Sequence, residues 1–209
     1  ESLAKQPLKF QPGTSYQYGY SIDILGRYIE AIEGKTLDVV MRERLFDKLG
    51  MGDTEFWIRK SDDLDRVALV YTKPQPNELR SWNRSAELLK EPSRMMGGQG
   101  LVSTTADYAK FCQMFLNKGK LGRARILKAT TVELMSQNHL KNIGKVYGLG
   151  GQVRPDGFYS WGGAAGTGFW IDPANDSYGV FMIQRWGYNP PTYGVFKRIA
   201  AQAVISIDK

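Results

Sequence analysis

The hydrophobic pattern of this chain changes period once, near Tyr147, and that single change restricts the fold more than any other feature. Before it, apolar residues recur at helical spacing. Residues 23–32 carry them at 24, 25, 28, 29 and 32, and Gly34 is a natural stop. A second helix is predicted from Thr36, with Val39, Val40, Leu45 and Phe46 on its apolar face, ending in the glycine-rich LGMGDT. A third starts near Thr105 behind a Ser103 or Thr104 cap. It turns Tyr108, Phe111, Cys112 and Phe115 to one side and ends at Lys118 and Gly119. ARILKATTVELMSQNHL predicts one more short helix. After Tyr147 the runs become short, aromatic and β-branched: YGLGGQVR, FYSWGGAAG, GFWID and SYGVFMIQR. Pro-Asp-Gly and Asp-Pro-Ala-Asn-Asp separate them, which predicts antiparallel hairpins. TYGVFKRIAAQAVISI then reads as a closing amphipathic helix.

Helices, then strands, then a helix argue for an α+β fold, an antiparallel sheet flanked by helices, rather than an alternating parallel α/β fold. A single domain over 1–209 is expected, with 1–146 mainly helical with long loops and 147–209 holding the strands and closing helix. Residues 56–95 stand apart. They carry many charges and three prolines and show little periodicity, so they read as a long surface excursion with short helical pieces.

Several kinds of chemistry drop out at once. One Cys and one His cannot supply the three or four ligands of a zinc site, so no metal is expected. No cofactor motif is present either: GGQG lacks the Lys-Ser/Thr end of a phosphate loop and reads as a tight bend. His139 has no Gly-x-Ser-x-Gly elbow to serve and reads as a surface residue. Cys112, on an apolar helical face, reads as core. The net charge of +7 is spread out, never five bases in a row, so no nucleic-acid partner is expected. No apolar run approaches the roughly 20 residues of a spanning helix, so no membrane span is expected.

Two segments carry more. PGTSYQYGYSIDILG and YSWGGAAGTGFWIDP, with KLGM at 48–51 and GGQGLVSTTADYAKF at 97–111 between them, stand in a specific order. Together they resemble the serine β-lactamase-like superfamily, in the branch of class C β-lactamases, penicillin-binding-protein-like proteins and family VIII esterases. The resemblance runs from about residue 7 to 185. It implies a β-lactamase/transpeptidase-like fold and an acyl-enzyme mechanism on small-molecule ester, amide or β-lactam-like substrates.

Aligned on PGT and Leu25-Gly26, the resemblance puts Tyr18 on the family's catalytic tyrosine, a phenol that needs a nearby cation to act as a base. Tyr20 falls where β-lactamases of the branch have Asn. Trp161-Gly162-Gly163 falls on their Lys-Thr-Gly, in a form found among the esterases. Gly163 and Ala164 would line the edge strand beside the nucleophile, with the Ala164 N–H as half of an oxyanion hole. Small residues there would let a carbonyl approach the backbone. Tyr20, Trp161 and Gly162 would contact substrate. Without Lys at 161 and Asn at 20 the resemblance favours an esterase over a β-lactamase. A plain aromatic stripe at Tyr16, Tyr18 and Tyr20, and a core role for Trp161, fit the same residues.

The family's nucleophile motif is Ser-x-x-Lys, which sets the serine and its lysine on one helical face. Ser2 and Lys5 have the letters, but Ser2 lies only sixteen residues before Tyr18. ESLAKQPLKFQPGT instead resembles the lead-in to PGT. The expectation is a C-terminal portion of such an enzyme, incomplete at its N-terminus and without its nucleophile. It would associate with its missing N-terminal segment or with itself. A non-catalytic binding module built on the same fold is the other reading. Relatives are often periplasmic or exported; this chain's residues do not assign a compartment.

Overall fold

The computed structural model describes residues 3–75, 78–82, 85–187 and 191–207. Helix α1, Ser21–Glu33, starts at Tyr20 and stops at Gly34, whose φ of +63° is the left-handed conformation glycine adopts without strain. A helical run follows at once: α2, Leu37–Met41, a π-helical turn, Arg42–Phe46, and α3, Asp47–Leu49. The buried Glu30 carboxylate accepts the Leu37 N–H at 2.9 Å and ties α1 to the start of α2. The expected helices at 23–32 and from Thr36 are therefore present.

Residues 56–95 depart from expectation. A 3₁₀ turn, Ser61–Arg66, is followed by an antiparallel pair, β1, Val70–Gln75, and β2, Glu78–Trp82, and then by a short helix α4, Ser85–Leu88. The pair was hidden because its strands are polar on most positions, so the apolar alternation that betrays a half-buried strand is missing.

Helix α5, Thr105–Leu116, is capped by Thr104, whose Oγ1 accepts the Asp107 N–H at 3.1 Å. It leads through a two-residue pair, β3, Lys120–Leu121, and β4, Ala124–Arg125, to α6, Ala129–Met135. The chain then forms a four-stranded antiparallel sheet in simple order: β5, Gln152–Val153, β6, Tyr159–Gly162, β7, Gly168–Asp172, and β8, Ser177–Phe181. Helix α7, Pro191–Ile207, closes the described chain.

Alternation along β7 explains how the layers stack. Phe169 and Ile171 point to one face, where α5 lays Tyr108, Phe111, Cys112 and Phe115 against them. Trp170 points to the other, where Tyr193 and Phe196 of α7 meet its ring at 6.0 and 5.7 Å. Cys112 is fully buried, and burial pushes its thiol up to about 12, as befits a packing residue.

A polar knot fixes α5 to the LGMGDT turn. Buried Asp107 accepts the Asp53 N–H at 2.8 Å and the Thr54 hydroxyl at 3.1 Å, and pairs with Lys110 at 2.9 Å. Asp107→Ala removes the acceptor of the buried Thr54 hydroxyl and of the Asp53 N–H, so it should lower unfolding free energy by about 1–3 kcal/mol. Denaturant titration reads this, and a loss below about 0.5 kcal/mol would show that the knot is dispensable.

Candidate active site

Tyr18 sits on the irregular stretch between a turn at residues 11–14 and α1. The turn is held by Thr14, whose N–H and Oγ1 both donate to the Gln11 carbonyl at 3.1 and 2.7 Å. The glycine pair of GGQG anchors the far end of this stretch. A Cβ on Gly97 would lie 2.3 Å from the Ile22 carbonyl oxygen, and the Gly98 N–H donates to Asp23 at 3.0 Å. These glycines serve close approach between α1 and the 97–98 backbone; the bend belongs to Gly100, with φ +100°.

From the other end of the chain, β6 presents Trp161. Its ring lies 5.8 Å from that of Tyr18. The two residues singled out from sequence as catalytic and substrate-contacting therefore come together. Tyr147, absent from the sequence-based site, stands edge-on to Trp161 at 5.4 Å, and Tyr16 meets Tyr147 at 5.5 Å. Four rings thus run in sequence: Tyr16, Tyr147, Trp161, Tyr18. Tyr147 carried one signal in the sequence, the glycine after it. A Cβ on Gly148 would fall 2.2 Å from the Met135 carbonyl oxygen, so the chain can take this path only with glycine there. Burial raises the Tyr147 phenol above its usual range, and the nearby Tyr16 and Tyr18 add to this; burial and Tyr18 do the same to Tyr16.

Tyr20 is placed differently. It is the residue before α1, exposed, and among the described residues it joins no ring contact. Gly162 is the last residue of β6, paired with Gly168. Gly163 and Ala164 lie just beyond, in the β6–β7 turn. Gly163 donates to Thr167 O at 2.9 Å and accepts from Gly166 N at 3.0 Å. A Cβ at 163 would lie 2.3 Å from Thr167 Oγ1, so a tight turn is a sufficient reason for this glycine. Exposed Ala164 keeps its N–H free of hydrogen bonds within the described chain, three residues after Trp161. Since β5 pairs β6 only at Tyr159 and Ser160, the Trp161–Gly162 end of β6 is open on that side.

Chemically, the region offers an exposed phenol, an unengaged backbone donor and an aromatic wall. Ser2 lies outside the described residues, while Lys5 ends a 3₁₀ turn, Leu3–Lys5. A second Ser-x-x-Lys spacing, Ser206 to Lys209, stands at the end of α7, where the family motif needs a helix start; Lys209 is outside the described residues. Among the described residues no helix is long and apolar enough to cross a membrane.

A family model described as Beta-lactamase matches residues 1–204. Lovastatin esterase from Penicillium rubens is 34% identical over 88% of this chain and 54% of its own length. Protein Rv1367c from Mycobacterium tuberculosis is 31% identical over 88% of this chain and 52% of its own. Among solved structures, simvastatin synthase (LovD) from Aspergillus terreus superposes with a TM-score of 0.78 at 23% identity, over 92% of this chain and 55% of that one. The octameric penicillin-binding protein homologue from Pyrococcus abyssi does so at 0.75 and 20%, over 93% and 44%. Both share the fold. The chain spans about half the length of the curated relatives it matches.

Proposed function

Because this chain belongs to the beta-lactamase family, we propose that it is the C-terminal part of a serine hydrolase that cleaves esters or amides through an acyl-enzyme. The observation that carries this reading is the meeting of Tyr18 with Trp161, from distant parts of the sequence, at 5.8 Å. In the proposal Tyr18 shuttles the proton between the serine and the leaving group. The Ala164 N–H donates to the developing oxyanion, a role for which a free backbone donor on a rigid turn is suited. Gly162 and Gly163 keep the approach to it clear. Trp161 in place of a lysine favours a neutral ester over a substrate gripped by its carboxylate. Tyr20, at the mouth of α1, contacts the outer part of the substrate. The serine and its lysine come from the remaining half.

Labelling tests the reading. The full-length protein should react covalently with a fluorophosphonate at a single serine. Folded protein that neither a fluorophosphonate nor a fluorescent penicillin labels would sink it.

The same proposal supplies an occupant for bare apolar surface. On α1, Ile24, Tyr28 and Ile32 share one side and stay 56%, 63% and 65% exposed, with Leu25 beside them. Strand β8 has one neighbour among the described strands. We assign both to contact with the missing half. Expressed alone, the chain should sediment as dimers or larger species, and adding the other half should replace them with a one-to-one complex. A monodisperse monomer of the chain alone would count against this.

A further inference from the structure

We propose that Tyr147 is a specificity-determining residue, which with Tyr16 and Trp161 builds a neutral aromatic wall beside Tyr18 that takes the apolar ring or branched chain of an ester substrate. This rests on the acyl-enzyme reading above and names the kind of substrate for that site.

Tyr147 does not reach the wall by chance of a loose loop. Residues 138–147 leave α6 and return to it, and the carboxamide of Asn138 staples both ends. Its Oδ1 accepts the Leu140 N–H at 3.0 Å and the Tyr147 N–H at 3.1 Å, and its Nδ2 donates to Lys145 O at 2.9 Å. The Tyr147 carbonyl accepts the His139 N–H at 2.9 Å, and Leu149 N donates to Met135 O at 3.0 Å. Gly148, pressed against Met135 O, allows that return. The backbone of Tyr147 is therefore held on both sides, and its ring is delivered edge-on to Trp161. Trp161 in turn packs on the buried cluster of Phe169 and Phe115. A rigid ring held by rigid neighbours presents apolar area at little entropic cost.

The wall is also neutral. None of its members is a cation or a carboxylate: a phenol is ordinarily protonated near neutral pH, and burial shifts those of Tyr147 and Tyr16 further up. Such a surface gains from apolar contact and carries no cation to grip a substrate carboxylate. Ring faces and edges favour an aromatic or alicyclic partner over a short linear acyl chain.

The test compares a small and a bulky neutral ester, p-nitrophenyl acetate and p-nitrophenyl cyclohexanecarboxylate, in the full-length protein. Tyr147→Ala should lower kcat/KM for the cyclohexyl ester at least tenfold relative to the acetate, mainly through KM. Tyr147→Phe, which keeps the ring, should leave the ratio within about twofold. Asn138→Ala should shift the ratio in the same direction as Tyr147→Ala, because Asn138 acts as a positioning residue through Tyr147. A thermal unfolding midpoint close to that of wild type reports that each variant is folded. If Tyr147→Ala depresses both esters equally, or if Tyr147→Phe matches Tyr147→Ala, the proposal is overturned. Fluorophosphonate labelling separates the two readings: a labelled wild type with an unchanged ratio in Tyr147→Ala overturns this inference alone, and an unlabelled wild type overturns both.

Discussion

Tyr18→Phe in the full-length protein is expected to cut turnover of a simple ester at least a hundredfold, about 2.7 kcal/mol of barrier, with KM and thermal stability little changed. The structure makes this substitution unusually clean. Tyr18 is 61% exposed, and among the described residues its hydroxyl holds no hydrogen bond. The ring contact with Trp161 at 5.8 Å survives in phenylalanine. Nothing that folds the chain is removed, so a loss of rate reports the proton at the phenol oxygen. A fall in kcat/KM carried by KM alone would instead assign Tyr18 to binding. Unchanged turnover would show that the alignment on PGT misplaces the catalytic tyrosine.

Phe115→Ala is expected to cost about 3–5 kcal/mol of unfolding free energy. Phe115 is 2% exposed at the centre of the layer between α5 and the sheet. Its ring lies 4.6 Å from Tyr159 and 6.3 Å from Phe111, and fully buried Cys112 sits one turn before it. These neighbours belong to a helix and a sheet that cannot close on the vacated space without moving as units, so the cavity term adds to the lost transfer energy. Against a typical total of about 5–15 kcal/mol, such a loss takes a large share of stability. The denaturation midpoint should fall with an unchanged slope. A loss under about 1 kcal/mol would mean that α5 is not seated on the sheet as described. The substitution should also weaken the site, because Trp161 packs against the same cluster.

The elements legible in the sequence were those whose burial writes a period into the chain. Helix α5 is one: Tyr108, Phe111, Cys112 and Phe115 face the sheet as their spacing predicts, and Thr104 caps the start. The β5–β8 meander is another, marked by Pro-Asp-Gly and Asp-Pro-Ala-Asn-Asp. The β1–β2 pair leaves no apolar alternation because its strands are mostly polar; β2 has four exposed residues of five. GGQG reads as a bend because two neighbouring glycines permit one. Close packing of Gly97 on Ile22 O is a tertiary cause that no local pattern carries.

The candidate site divides along the same line. The order of the motifs, through the resemblance it carries, points to Tyr18, Trp161, Gly162, Gly163 and Ala164. That Tyr18 and Trp161 touch follows from α1 being pinned at Gly97 and Gly98 and from β6 lying in the sheet, and neither constraint is local. Tyr147 is the clearest case. A tyrosine at the junction between helical and strand periods is chemically silent in one dimension. Only the return of the 138–147 loop, closed by Asn138 and made passable by Gly148, brings its ring to Trp161. Periodicity thus indicates which layers form, and motif order which residues are proposed to meet a substrate. Contacts between distant backbone segments settle which rings share a wall, because distance in space is a property of packing and leaves no period in the chain.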